Sequence, residues 1–214
     1  MDTIGIIGVG LLGSAIAARL TAAGYGILGY DLLPERRVGA SSAQEVAGKC
    51  RTILLCLPTS AVVMAGGRRP VFDAAAPLFK TFASRAFYLG GYGAGARMKL
   101  VANLALGLNR AVLAETLAFA HACEVSPVDA LEVLKAGAAY SRVMDDKGQK
   151  MLDHDFTVEA RLSQHLKDVR LILAAAGAKG AKAPLSQVHR QLLERLEAAG
   201  YGDMDNSAII MAYE

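Results

Sequence analysis

The sequence Gly8-Val9-Gly10-Leu11-Leu12-Gly13 constrains what this chain can fold into more than any other feature. It closes a short β-branched run, Thr3 to Gly8, and opens a stretch rich in alanine and leucine, Leu11 to Ala23, that reads as a helix. A strand, a glycine turn and a helix in that order give G-x-G-x-x-G its physical meaning. Gly8 permits the tight turn, Gly10 lets the backbone approach a pyrophosphate, and Gly13 lets the helix pack closely on the strand. Leu11 and Leu12, the first helical residues, stand where free backbone N–H groups face an anion. A second apolar run, Tyr25 to Tyr30, ends at Asp31, 18 residues beyond Gly13. A carboxylate there accepts hydrogen bonds from both hydroxyls of an adenosine ribose and repels a 2′-phosphate, which points to NAD. Arg36 and Arg37 leave NADP open, because both can swing toward a 2′-phosphate; they fit a solvated loop pair equally well. A bare strand-to-helix turn in some other α/β fold would use the glycines but would have no need of Asp31.

The alternation continues past Asp31. Pro34 to Arg37 leads into a weak helix over Ala43 to Lys49, and Arg51 to Leu57 is a third strong strand closed by Pro58-Thr59. The order β-α-β-α-β argues for a parallel sheet. Then the pattern breaks. Ala61 to Ala65 reads as a strand reached almost without a connection, whereas a parallel neighbour needs a crossover of about a dozen residues or more. A segment is therefore missing between Thr59 and Gly66, and the edge of the third strand is exposed unless Ala61 to Ala65 covers it. A helix over Pro70 to Phe82 and a strand over Arg85 to Leu89 precede the glycine-rich Gly90 to Gly95, which marks a domain boundary. Beyond it everything reads as helical: Ala96 to Cys123, Pro127 to Ala136 behind the N-cap Ser126, Ser141 to Met151, Glu159 to Ala176, Pro184 to Ala199, and a short helix after Asp205. The expected architecture is a shortened Rossmann-like α/β domain with a parallel sheet over residues 1–93, lacking strands near 60–64. An all-α domain over residues 94–214 follows, opened by a long interdomain helix.

Composition excludes several classes. The net charge of +3 is spread along 214 residues with no basic run, so the electrostatic footprint of a nucleic-acid binder is lacking. Cys50, Cys56 and Cys123 form no C-x-x-C pair, which suits reduced thiols in the cytoplasm. No secretory leader pattern is visible at the start. Leu100 to Cys123 is apolar but carries Asn103, Asn109, Arg110 and Glu115, which are costly in hydrocarbon; it reads as a buried helix of a soluble protein, with no membrane partner. Apolar residues on several of its faces point to a homodimer. His121, His154, His165 and His189 show no ligand spacing with one another or with cysteine, so no metal site is expected.

One further motif carries chemistry. Gly93-x-Gly95-x-x-x-Lys99-x-x-x-Asn103 sets an amine and an amide one helical turn apart on one face. Desolvation in a mostly apolar helix would lower the lysine pKa and suit it to exchange a proton with a carbinol oxygen. Taken alone, Lys99 also fits a side chain that lays its stem on the helix and its ammonium in water.

At this point the chain resembles the β-hydroxyacid dehydrogenase family, which includes 3-hydroxyisobutyrate dehydrogenase and is similar in its core to 6-phosphogluconate dehydrogenase. The resemblance rests on IGIIGVGLLG, ILLCLPTS, the Gly93 to Asn103 motif, Lys167-Asp168 and the closing Gly200-Tyr201-Gly202-Asp203-Met204-Asp205, which together span nearly the whole chain. It implies that Lys99 is the catalytic acid/base, Asn103 its substrate-positioning neighbour, and Lys167 a contact near the nicotinamide, with Asp168 beside it. It implies too that Leu57 and Pro58 line the adenosine side. Family members carry two more βα units and a substrate-clamping strand after the L-P-T/S stretch, and those are absent here. The expectation is an NAD(P)-dependent oxidoreductase acting on a small β-hydroxy acid or its semialdehyde, impaired by the missing segment. The alternative is a noncatalytic dinucleotide-binding or dimerisation module.

Overall fold

The structure, a computed structural model, describes residues 3–50, 52–55 and 62–214. The chain divides into two compact units, Met1–Ala96 and Arg97–Glu214. In the first, β1 (Thr3–Ile7), α1 (Leu11–Ala22), β2 (Gly26–Tyr30), α2 (Ala43–Lys49) and β3 (Thr52–Leu55) make a parallel sheet in the order β2-β1-β3. The register pairs Ile4 with Ile27 and with Thr52. Because helices cover both faces, β1 has no polar side to turn outward. Ile4 and Ile6 bury with Leu20 of α1, while Ile7 packs toward Val46 of α2 and Cys50 just past its end. Ser42 caps α2 by accepting the N–H of Glu45 at 3.1 Å, and Glu45 returns a carboxylate to the N–H of Ser41.

The expected break in the sheet is present. β4 (Val62–Ala65) does not pair with β3; it pairs in parallel with β5 (Arg85–Tyr88) as a separate two-stranded sheet. The six residues from 56 to 61 are too few for a parallel crossover, and among the described residues no strand pairs with the outer edge of β3. The single helix expected over Pro70 to Phe82 is two short ones, α3 (Arg69–Ala74) and α4 (Ala76–Lys80), because Pro77 has no N–H to continue the ladder. Leu78 of α4 joins the Ile4, Ile6 and Leu20 cluster.

The second unit is helical. α5 (Ala94–Ala122) is followed by α6 (Pro127–Ala136), α7 (Arg142–Leu152), α8 (Leu162–Ala178) and α9 (Pro184–Ala198). A 3₁₀ turn over Tyr201–Asp203 and a 3₁₀ helix over Asn206–Ala212 close the chain. By length and hydropathy α5 could cross a bilayer, yet it lays Leu113, Ala114 and Leu117 into a core shared with Leu162, Leu166, Leu193 and Ile209. That side is buried within the single chain, whereas Val101, Val112 and Phe119 are exposed.

Asp205 locks this unit. Its fully buried carboxylate accepts the N–H groups of Glu159 and Ala160 at 2.9 Å and of Ser207 at 3.0 Å, and the Lys147 ammonium at 3.0 Å. Burial pushes this carboxyl up, but the N–H groups of Ala160, Ser207 and Glu159 and then Lys147 outweigh it and hold it far below the usual carboxylate range. Claiming Glu159 and Ala160 in this way starts α8 at Leu162, later than the expected Glu159. Asp205→Ala would leave three N–H groups unanswered and take one of two carboxylates from the buried Lys147 ammonium, which keeps Glu159 at 2.6 Å, so we expect a loss of about 3 kcal/mol in urea unfolding followed by circular dichroism.

α8 and α9 approach α5 at Gly107. A Cβ there would collide with Nε2 of His165 and stand 2.9 Å from Cε1 of His189, so glycine is what lets both rings lie against the helix. His165 and His189 are buried, with ring centroids 5.2 Å apart. Burial first, and the charge of Arg110 second, push His189 down to about 4 and His165 well below its ordinary value. Both are therefore neutral in the folded chain and gain protons on unfolding. Their contribution is complete above the ordinary histidine value of 6.5 and is lost as pH falls below it, for His189 toward about 4. The urea midpoint should drop across that window, by about 3 kcal/mol in stability for His189 alone, and His189→Gln should flatten the slope.

Candidate functional site

The glycine turn is built by the end of β1. Gly8 takes φ 94, a left-handed conformation that glycine alone adopts without strain, and its N–H donates to the Tyr30 carbonyl at 2.8 Å. That bond ties the turn to the end of β2 and so sets Asp31 beside it. Asp31 is half-exposed, and its Oδ1 accepts the N–H of Leu33 at 3.0 Å. Leu11 and Leu12 open α1, whose N-cap Gly10 supplies no side-chain cap and whose first turn holds no acidic residue. Gly13 is buried in the first turn of the helix.

The two arginines divide their work. Arg37 is engaged locally, its Nε donating to the Asp31 carbonyl at 2.9 Å and its guanidinium lying 4.9 Å from the centre of the Tyr30 ring. Arg36 is at the turn itself, with Nη1 3.8 Å from where a Gly10 Cβ would stand. A helix N-terminus free of acidic groups, a backbone bare of Cβ at Gly10 and a guanidinium over it suit a diphosphate in both shape and charge. A nicotinamide dinucleotide fits these residues.

The second constellation lies on α5. Gly95 sits where a Cβ would collide with the Met64 carbonyl, and this close approach accounts for the second glycine of the motif. Lys99 and Asn103 follow on one face, both half-buried. Asn103 donates from Nδ2 to Oδ2 of Asp168 on α8 at 2.8 Å. A carboxylate only accepts, so the amide orientation is fixed and Oδ1 of Asn103 is left as an acceptor. Lys167 is exposed beside Asp168. Amine, amide and carboxylate in sequence can pass a proton to an oxygen and hold the hydroxyl that results. Leu57 and Pro58, expected at the adenosine side, lie outside the described residues.

Sequence reasoning did not find three features. The Asn103 to Asp168 bond crosses two helices, and Asp168 entered only through a resemblance. Arg36 at Gly10 depends on the path of a loop. The set of Gly107, Arg110, His165 and His189 left a faint trace in the spacing 99, 103, 107, 110 along α5 and 165, 168 along α8.

Residues 93–213 match the family described as NAD-binding of NADP-dependent 3-hydroxyisobutyrate dehydrogenase, and residues 3–63 match the NAD binding domain of 6-phosphogluconate dehydrogenase. Glyoxylate/succinic semialdehyde reductase 1 of Arabidopsis thaliana is 30% identical over 151 residues, 71% of this chain and 52% of that protein. 2-Hydroxy-3-oxopropionate reductase of Escherichia coli is 30% identical over 152 residues, with the same coverage of 71% and 52%. The cytokine-like nuclear factor N-PAC of Homo sapiens is 30% identical over 152 residues, 71% of this chain and 28% of that protein. The chain thus spans about half the length of the reductases it matches. Among solved structures, 3-hydroxyisobutyrate dehydrogenase of Mycobacterium tuberculosis with L-serine has a TM-score of 0.83 at 20% identity, covering 99% of this chain and 98% of that one. The 3-hydroxyisobutyrate dehydrogenase of Salmonella typhimurium has a TM-score of 0.81 at 21% identity, covering 99% of each chain. These likenesses show a shared fold, a parallel sheet followed by a helical domain, and both family matches carry a nicotinamide dinucleotide as cofactor. Because the match over residues 93–213 takes in more than half of its sequence, the chain belongs to the β-hydroxyacid dehydrogenase family.

Proposed function

We propose that this protein is an NAD(P)-dependent oxidoreductase of the cytoplasm, acting as a homodimer on a small β-hydroxy acid or the matching semialdehyde, with turnover impaired by its shortened sheet. The bond from Asn103 to Asp168, one helical turn from Lys99, carries the reading. The nicotinamide supplies or accepts the hydride. Lys99 gives a proton to the carbonyl oxygen in reduction and takes it from the carbinol in oxidation. Asn103, held by Asp168, accepts the substrate hydroxyl at Oδ1 and keeps that oxygen before the ammonium. Asp31 takes the adenosine ribose, Arg36 and the N–H groups from Leu11 to Gly13 take the phosphates, Leu57 and Pro58 are assigned by the family resemblance to the adenosine side, and Lys167 steadies the nicotinamide end.

A second reading, a noncatalytic dinucleotide-binding module, draws on the sheet. β3 and β4 belong to separate sheets and share no pairing. The strands absent between them are those that would bring a serine or threonine and a carboxylate clamp.

Binding and turnover measured separately distinguish the two. Titration of NADH and NADPH by nicotinamide fluorescence should show saturable binding. An NADH-linked assay over short 3-hydroxy acids and their semialdehydes should then give a rate well below the ordinary enzyme range of about 10 s⁻¹. Lys99→Ala should lower that rate by at least about 100-fold and leave nucleotide affinity unchanged. Binding with no turnover selects the second reading, a normal rate removes the impairment, and absence of binding removes both. Val101, Val112 and Phe119 share one exposed face of α5 and support self-association. Light scattering on the eluting protein should give twice the chain mass, and a monomer would overturn the dimer.

A further inference from the structure

Arg110 stands on the face of α5 that carries Asn103 and Gly107, yet its side chain is sunk in the helical unit at 4% exposure. Its Nε and Nη1 have no hydrogen-bond partner among the described residues. Asp205 acts on its charge, but that carboxylate already serves Lys147 and three backbone N–H groups. His165 and His189, at 7% and 3% exposure, flank Gly107 one turn away, and Nε2 of each is likewise without a partner. The charge of Arg110 is felt by both rings. Three helices thus bring three buried side chains together about Gly107, one of them a guanidinium whose Nε and Nη1 have no partner among the described residues.

The chemistry of these groups narrows what can answer them. Guanidinium N–H groups only donate, and a neutral imidazole can place its proton on Nε2 and donate as well. A metal cation would be repelled by Arg110. Water would meet the hydrogen bonds but leave the charge balanced only by Asp205, a carboxylate already shared with Lys147, and that is the larger cost in a low-dielectric interior. A substrate-sized carboxylate cannot enter a place where every side chain is more than nine-tenths buried. We propose that Arg110, His165 and His189 form a binding site for a small monovalent anion of halide size, held inside the helical unit. The anion pairs with the guanidinium and gives each imidazole a reason to turn Nε2–H inward. Because His165 lies one turn from Asp168 on α8, the anion also steadies the helix that orients Asn103. The site stands independently of any turnover by the chain.

Bromide is the probe. Crystals of the full chain equilibrated with about 100 mM sodium bromide should show an anomalous peak between Arg110 and the two imidazoles. In solution, bromide replacing fluoride at constant ionic strength, from about 5 to about 300 mM, should raise the melting midpoint saturably by about 3 °C. The pH at which His189 protonates, read by imidazole NMR, should rise by about one unit when bromide is added. Arg110→Met should abolish the bromide response, and the crystal and NMR measurements on the unaltered chain decide the matter should that variant not fold. Ordered water with no anomalous peak overturns the proposal. So does a melting response that never saturates or persists in Arg110→Met, and so does a peak unaccompanied by any shift in solution.

Discussion

The buried carboxylate of Asp205 is the constraint on which the helical unit depends. It lies 58 residues from Lys147 in sequence and 46 from Glu159, and it binds both segments at once. A charge with no exposure is tolerable only when every oxygen is answered, and here two oxygens meet an ammonium and three N–H groups. The N–H groups of Glu159 and Ala160, spent on Asp205, fix where α8 begins and therefore how its residues face. That register turns His165 and Asp168 toward α5. The amide of Asn103 is oriented by a carboxylate that Asp205 positions from a distance.

The face of α5 that receives them is graded from wet to dry. Lys99 and Asn103 are half-buried, Gly107 is buried, and Arg110 is enclosed. Four residues at helical spacing thus pass within about three turns from a half-buried amine to an enclosed guanidinium. Gly107 is the pivot, since its missing Cβ lets two rings press on the helix and keeps α8 close enough for the 2.8 Å bond at Asn103.

In the first unit the governing fact is a connection too short for its task. Parallel strands pair only when a crossover returns the chain to the same end, and six residues between β3 and β4 cannot do so. The sheet therefore divides, and β4 finds its parallel partner in β5 across the longer segment holding α3 and α4. The glycine turn is untouched by this, because β1, β2 and α1 build it without help from the later strands.

Sequence alone determined whatever is local or periodic. The glycine turn, the alternation of strands and helices, the break after Pro58, the run of helices from α5 onward and the one-turn spacing of Lys99 and Asn103 all follow from backbone conformation and helical repeat. The proline break at Ala75 was legible in Pro77 but was masked by an unbroken apolar pattern around it. Tertiary structure decided everything that requires two distant segments to meet. Asp168 on Asn103, Arg36 at Gly10, the rings on Gly107 and the four donors on Asp205 each join residues whose identities, read singly, suit a solvated surface as well as a buried site. Sequence spacing cannot separate those alternatives, because burial and hydrogen-bond partnership are properties of the packed chain rather than of any residue along it.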